Sequence, residues 1–281
     1  MHDSGWHARW MRRVIGLLAC ATVAGGPAAA EPPSAEAGRR PHVVIVVADD
    51  EYRTAQTLPA FAAAELGGAF RVSTLAAVPG GEAGIPGLET LADADLLVIS
   101  VRRRPLPAAQ LDRIRRHVAA GRPVVGIRTA NHAFHLRNAP PPQGLEDWRS
   151  FDADVFGGNY SNHLANDLRT TARRLPGVEH PILEGLPAGE FATGGSLYVV
   201  TPLAASTTEL LRGRAAGVAE EQPVAWVNRR ADGGWSFYTS LGHPDDFEAP
   251  AFRRLLANAI RWTASAERAA PDAARPAATS R

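Results

Sequence analysis

Residues 42–48, HVVIVVA, form an unbroken apolar run that restricts the folds open to this chain. The run is mostly β-branched and has no alternating polar residue, which is typical of a strand buried on both faces of a parallel sheet. Apolar runs at 96–101 and 123–127 have the same character. We therefore predict that a folded domain begins at Pro41 and is built on a parallel sheet.

Segments with helical periodicity separate these runs. Apolar residues recur at helical spacing over 57–66 and 107–119, and glycine follows each segment. A further strand is predicted over 70–76. Strands that alternate with helices imply right-handed crossovers and a sheet covered on both faces. Later strands are predicted at 197–200, 224–227 and 236–240, before a closing helix over 249–262.

The chain divides into four parts. Residues 1–30 combine three arginines, an apolar run and a small-residue end, the pattern of a cleaved signal peptide. We predict a linker over residues 31–40, the folded domain over 41–263 and a disordered tail over 264–281. We therefore expect the mature chain in the periplasm or outside the cell. We expect no integral membrane span, because the leader's apolar run has about half the required length.

The composition excludes several mechanisms. The chain has one cysteine, Cys20, and no lysine. Cys20 lies in the predicted leader, where lipoprotein acylation is the less favoured alternative to simple cleavage. Schiff-base chemistry, pyridoxal attachment and the phosphate loop with its lysine all need an absent amine. The net charge of +1 gives no basic excess for nucleic acid, so a small molecule is the expected partner.

Charged residues follow three predicted strands, where ligands of open parallel sheets bind. Asp50 and Glu51 follow the first strand, and neighbouring carboxylates can supply a general acid or base. The planar guanidinium group of Arg128 can neutralise an oxyanion. His243 follows a glycine turn at the end of a strand, a position that suits an acid or a base. The predicted catalytic residues are these four. The simpler alternatives are solvated carboxylates, an Arg128 pair with Asp49 or Asp50, and a His243 that caps the final helix.

A second group of residues suits sugar hydroxyls. The stretch 156–163 mixes glycine with amide, hydroxyl and imidazole groups that supply paired donors and acceptors. Two aromatic rings offer stacking faces for a pyranose. Tight turns and ordinary packing are the simpler alternatives. The predicted substrate-binding residues are His132, Asn159, Tyr160, His163, Trp148 and Thr129.

Three histidines raise the alternative of a metal-dependent hydrolase. His132 and His135 are three positions apart, which places both on one face of a helix, and His163 could join them. Zinc sites usually have three or four ligands in recognised short spacings, which this set lacks. We therefore predict no metal and no other cofactor, and keep the hydrolase as a second alternative.

Five short motifs resemble the ThuA-like (trehalose utilisation) family. The resemblance spans about residues 41–262. It implies a flavodoxin-like three-layer α/β sandwich with a mostly parallel central sheet, similar to class I glutamine amidotransferases. It also implies a link to disaccharide or oxidised-sugar metabolism. The motifs are Glu51-Tyr52 with Thr57-Leu58-Pro59, GIRTANH at 126–132, GGNY at 157–160, His180-Pro181-Ile182 and FYTSLGH at 237–243.

The strand-to-turn junction at 126–132, here called the elbow, departs from the amidotransferase pattern. It carries arginine rather than the cysteine nucleophile, so glutamine hydrolysis through a thioester is excluded. It resembles a ThuA-like branch with an Arg-Thr-Ala elbow, found in exported proteins of sugar-degrading bacteria. We expect an exported hydrolase or isomerase that acts on a disaccharide or keto-sugar by acid/base chemistry. The main alternative is a non-catalytic carbohydrate-binding protein.

Overall fold

A computed structural model describes residues 39–78, 80 and 83–265. The predicted signal peptide, Cys20 and nearly all of the predicted linker and tail lie outside these residues. No helix in the described part of the chain is long and apolar enough to cross a membrane.

The described residues form thirteen strands and three α-helices. Short 3-10 helices and one π-helical turn, Asp152–Phe156, connect several of them. In chain order the elements are β1 (His42–Ala48), α1 (Thr54–Glu65), β2 (Arg71–Ala76), β3 (Leu96–Val101), β4 (Leu106–Pro107), α2 (Ala108–Ala119), β5 (Val124–Ile127), β6 (Leu145–Glu146), β7 (Asn162–His163), β8 (Thr170–Arg174), β9 (Phe191–Thr193), β10 (Tyr198–Val199), β11 (Thr207–Ala215), β12 (Gln222–Arg229), β13 (Trp235–Thr239) and α3 (Pro250–Ala264).

A nine-stranded sheet crosses the molecule in the order β2-β1-β3-β5-β13-β12-β11-β8-β9. The first five strands are parallel, and each remaining strand is antiparallel to its neighbour. Every residue of β1 and β3 is buried, because each strand has a neighbour on both sides and a covered layer on both faces. The predicted α/β sandwich is confirmed, and β1 and β3 have the predicted bounds.

Helices cover both faces of the sheet. Alternate side chains of β1 point to opposite faces, as in any strand. Val43, Ile45 and Val47 pack in one core with α1 and α3. Val44 and Val46 pack in a second core with α2. These two cores account for the three layers.

The antiparallel half of the sheet differs most from the sequence-based prediction. Strands β8, β9 and β11 were not predicted, since β8 and β11 are rich in arginine and threonine and partly exposed. The strand predicted at 197–200 is only β10, which pairs with β7 outside the main sheet. This small pairing sets His163 opposite Tyr198 and so brings the turn after residue 156 toward the elbow.

Candidate functional site

Within the elbow, Arg128 directly follows β5 and has a left-handed backbone (φ 46°). Such a conformation is uncommon for a residue with a side chain and persists only where the surroundings impose it. The hydroxyl of Tyr238 donates to the carbonyl oxygen of Arg128 at 2.6 Å. A side chain of the neighbouring strand β13 therefore holds the backbone of the elbow in place.

The side chain of Arg128 is buried, with 1% of its surface exposed. Nη1 donates to the carbonyl oxygen of Ser240 at 2.8 Å, and Nη2 donates to the hydroxyl of Tyr52 at 3.3 Å. Nη2 also lies 3.5 Å from the hydroxyl of Ser196. The guanidinium carbon lies 4.2 Å from the ring centroid of Tyr52 and 4.8 Å from that of Tyr198, so both rings add cation–π stabilisation.

No described carboxylate forms an ion pair with Arg128, and its Nε has no hydrogen-bond partner among the described residues. The alternative that Arg128 pairs with Asp49 or Asp50 is therefore not realised. Asp49 instead accepts hydrogen bonds from the hydroxyl of Thr129 at 3.1 Å and the backbone of Glu51 at 2.9 Å. The carboxylate of Asp246 stabilises the buried guanidinium electrostatically without an ion-pair contact, and a desolvated charge is costly. The elbow thus holds a positive charge that an oxygen of a ligand can satisfy.

Tyr52 joins three of the four predicted catalytic residues. Its hydroxyl accepts from Arg128 and donates to Oε1 of Glu51 at 3.2 Å. Its ring lies edge to face with the imidazole of His243, with 6.1 Å between centroids. The predicted meeting of Glu51, Arg128 and His243 is therefore present. Asp50 is exposed and makes no side-chain contact with this group among the described residues.

The two ring nitrogens of His243 differ, because Nδ1 faces Asp245 and Nε2 has no hydrogen bond among the described residues. Nδ1 accepts from the backbone N–H of Asp245 at 3.3 Å, which caps the 3-10 helix Pro244–Glu248. The capping alternative is thus realised, but on the short helix before α3. Nε2 has no hydrogen bond within the described residues. Because Nδ1 accepts, the neutral ring carries its proton on Nε2 and can donate it to a ligand oxygen.

Asp246 holds the turn around His243 in place. Its carboxylate accepts from the backbone N–H groups of Gly194 at 2.7 Å, Gly242 at 2.8 Å and His243 at 2.9 Å. Burial raises the pKa of Asp246, while these hydrogen bonds and the charge of Arg128 oppose the rise. The carboxylate therefore ties the segment before β10 to the turn after β13.

Three predicted substrate-binding residues gather around Tyr198, beside Arg128. The ring of Tyr160 stacks on His132 with 4.5 Å between centroids and lies 4.9 Å from Tyr198. The ring of His163 lies 6.3 Å from Tyr198. Burial, with the nearby charges of arginines 102 and 103, lowers the pKa of His132 to about 2. His132 is therefore a neutral wall of the site.

The polar side-chain atoms of the other three predicted substrate-binding residues form hydrogen bonds within the protein. The indole N–H of Trp148 donates to Asp154 at 2.7 Å and its ring packs on Phe151, which is the simpler packing alternative. The amide of Asn159 donates to a backbone carbonyl at 3.2 Å, on the exposed side of its turn. Thr129 is buried, and its hydroxyl donates a hydrogen bond to the carboxylate of Asp49. The structure does not bring these side chains to the group around Arg128.

The histidines of the metal alternative do not assemble a ligand set. Nδ1 of His132 lies 2.6 Å from the side-chain oxygen of Asn131, and Nδ1 of His163 bonds a backbone carbonyl at 2.8 Å. In residues 39–78, 80 and 83–265, no three His, Cys, Asp or Glu side chains come close enough to share an ion. The second alternative therefore lacks geometric support.

A model of the family described as "ThuA: Trehalose utilisation" matches residues 42–263. The chain belongs to the ThuA family. A ThuA-like protein from Bacteroides uniformis ATCC 8492 is 17% identical, with 85% of this chain and 95% of that chain covered and a TM-score of 0.58. One from Parabacteroides merdae ATCC 43184 is 17% identical, with 81% and 91% covered and a TM-score of 0.57.

A glutamine amidotransferase from Methylobacillus flagellatus is 15% identical to this ThuA protein, with 72% of this chain and 70% of that chain covered and a TM-score of 0.41. No curated protein matches the chain. At these identities the two ThuA-like structures show the fold, so the activity has to be argued from the site.

Sequence reasoning gave no role to four residues that lie around Arg128 in the candidate site. Tyr52 has a place only in a motif, Tyr198 lies in a segment interpreted as a plain strand, and Ser196 directly precedes that segment. Gly195 has φ +73°, and a Cβ added there would clash with Nη2 of Arg128. The glycine pair at 194–195 was the available signal, because paired glycines mark places where a backbone must pass close to another group.

Replacing Gly195 with alanine is expected to displace the Arg128 guanidinium and lower the free energy of unfolding by about 1–3 kcal/mol, because a left-handed backbone and a close contact are combined. Gly177→Ala is the matched control, since Gly177 has φ +74° but open space around its Cβ position. Chemical denaturation of both variants separates the contact from the backbone effect. Equal losses would show that the Arg128 contact has no energetic weight.

Proposed function

We propose that this protein is an exported ThuA-family enzyme that acts on a disaccharide or keto-sugar by acid/base chemistry, as a hydrolase or an isomerase. One observation carries the proposal: Tyr52 joins a buried guanidinium, a carboxylate and an imidazole with a free nitrogen in one place. The link of the ThuA family to trehalose utilisation supports a sugar as the substrate. Export rests on the leader pattern of residues 1–30.

Arg128 is assigned to hold negative charge as it develops on a substrate oxygen. The guanidinium is fixed by the carbonyl oxygen of Ser240 and by two aromatic rings, so it need not reorganise during the reaction. Its burial strengthens its interaction with any charge that forms nearby. The Nε–H of Arg128 has no hydrogen-bond partner among the described residues, whereas the hydroxyl of Tyr52 already donates to Glu51.

His243 is assigned as the general acid and Glu51 as the general base. The protonated ring can donate from Nε2, which has no hydrogen bond among the described residues, while its second proton on Nδ1 can face Oδ2 of Asp245, 3.4 Å away. Glu51 is exposed, forms an ion pair with Arg102 and accepts from Tyr52, which together set the direction of its carboxylate. Asp50 is no longer favoured as the counterpart, because its exposed side chain contacts none of these groups.

Tyr160 and His163 are assigned to the sugar. Both side chains are partly exposed beside buried Tyr198. Each combines an aromatic face with a polar atom, which suits a pyranose with an apolar face and hydroxyl edges. The substrate would then lie between this aromatic group and the acid at His243.

The alternative is a carbohydrate-binding protein without turnover. It is favoured by the fact that the contacts within the group of Tyr160, His163 and Tyr198 do not involve Glu51 or His243. Such a protein would bind through the aromatic group and leave the acid and base unused.

Calorimetry with a panel of disaccharides and keto-sugars, run beside a product assay, separates the two functions. The enzyme is expected to convert at least one sugar that it binds, with the rate saturating near the measured Kd. Binding with no product from any bound sugar would support the alternative and contradict the proposed enzyme.

A further inference from the structure

A cluster of arginines lies beside the aromatic group, on the loop after β3 and the segment after the elbow. Arg102 and Arg103 follow β3 directly, and Arg137 follows the elbow. The backbone N–H of Arg103 donates to the carbonyl oxygen of His132 at 3.0 Å, which holds the two segments together. The cluster thus borders the surface assigned to the sugar.

Arg103 is held in an unusual way for a surface arginine. Its backbone is left-handed (φ 45°), a conformation that costs free energy for a residue with a side chain. Its guanidinium lies beside the hydroxyl of Tyr160, and its Nη1 is buried without a hydrogen-bond partner among the described residues. A buried donor without a hydrogen bond costs free energy, so we expect Nη1 to bind an acceptor atom that a ligand supplies.

Within the described residues, the charges of Arg103 and Arg137 are not balanced by an ion pair. Burial and the nearby charge of Arg137 lower the pKa of Arg103. The neighbouring carboxylates are already engaged, because Glu51 pairs with Arg102 and Asp147 pairs with Arg149. Neither Arg103 nor Arg137 has an ion pair among the described residues. Like charges in a partly buried place repel each other, and a bound anion would remove that repulsion.

We propose that Arg103, Arg137 and the hydroxyl of Tyr160 form an anion subsite that binds the carboxylate or phosphate group of an acidic sugar. The planar fork of arginine matches both groups. The inference rests on the proposed function and deepens it: the sugar stacks at Tyr160, and its acidic group reaches Arg103. The natural substrate is then an anionic sugar rather than a neutral one.

Titration calorimetry at low salt tests the subsite with three probes: glucuronate, glucose 6-phosphate and neutral glucose. We expect at least one acidic sugar to bind at least tenfold more tightly than glucose, with the preference reduced at high salt. The probe that binds more tightly identifies the acidic group. Equal affinity for all three sugars, or no saturable binding of either acidic sugar, would overturn the subsite.

Arg103→Gln is expected to weaken binding of the preferred acidic sugar at least tenfold and to leave glucose unchanged. Arg137→Gln should act in the same direction, and because Arg137 is exposed, its replacement separates a binding defect from a folding defect. Arg116→Gln removes one positive charge from the exposed side of α2 and serves as the matched control. Unchanged affinity in both cluster variants would refute the assignment, even if the enzyme proves active on a neutral sugar.

Discussion

A His243→Ala variant is expected to lose turnover by about 10²–10⁴-fold while it still binds its sugar, because the variant lacks the Nε2 proton but keeps Arg128 and the aromatic group. The effect should appear in kcat and not in the calorimetric Kd. Single-turnover rates and calorimetry on the same preparation measure the two quantities.

Two further variants separate proton transfer from the structural role of His243. His243→Asn supplies a side-chain oxygen that can still cap the 3-10 helix, so it should fold normally and remain inactive. His180 caps the 3-10 helix Pro181–Leu183 in the same manner, through Nδ1 and before a proline. His180→Ala should therefore lose the cap and keep turnover. Wild-type turnover in His243→Ala would remove the acid from the mechanism.

An Asp152→Asn variant is expected to be more stable than the wild type at pH 8, by up to about 4 kcal/mol. Burial raises the pKa of Asp152 from 3.8 to about 7. Oδ2 accepts from the backbone N–H of Tyr160 at 2.8 Å, but Oδ1 is buried with no partner among the described residues. The ionised carboxylate is therefore poorly solvated in the fold, and an amide keeps the acceptor without the charge.

The sign of the pH dependence follows from the proton count. Between about pH 4 and 7 the folded protein keeps the Asp152 proton and the unfolded chain releases it, so the free energy of unfolding falls as the pH rises. Above pH 7 both states have lost the proton, and the destabilisation by the ionised Asp152 no longer changes with pH. The advantage of Asp152→Asn should thus grow from pH 4 to 7 and then level off. Denaturant titrations across this range measure it, with exposed Asp167→Asn as the control.

The parallel half of the fold could be predicted from sequence because its strands are buried on both faces. That environment leaves an unbroken apolar run such as 42–48 or 96–101, a pattern typical of central parallel strands. The antiparallel strands β8 and β11 carry polar residues toward solvent, and their pairing depends on segments far apart in the chain. The pattern of apolar residues within each segment is therefore not enough to predict β8 and β11.

The candidate site shows the same division. Arg128 and His243 were found because they follow strands, and the carboxyl ends of parallel strands meet at one edge. Tyr198 could not be found this way, because β10 lies outside the main sheet and pairs with β7. The packing of Trp148 could not be predicted, because ring chemistry alone does not reveal that the carboxylate of Asp154 accepts from the indole N–H.

The shared sheet has a consequence for how the protein is made. Strand β13 lies between β5 and β12 and supplies Tyr238 to the elbow, yet among the strands of the described residues it is the last to leave the ribosome. Until residue 239 has emerged, β5 lacks one neighbour and the backbone of Arg128 lacks its hydroxyl support. A nascent chain therefore passes through a stage with an unpaired apolar strand edge, where a chaperone would find its target.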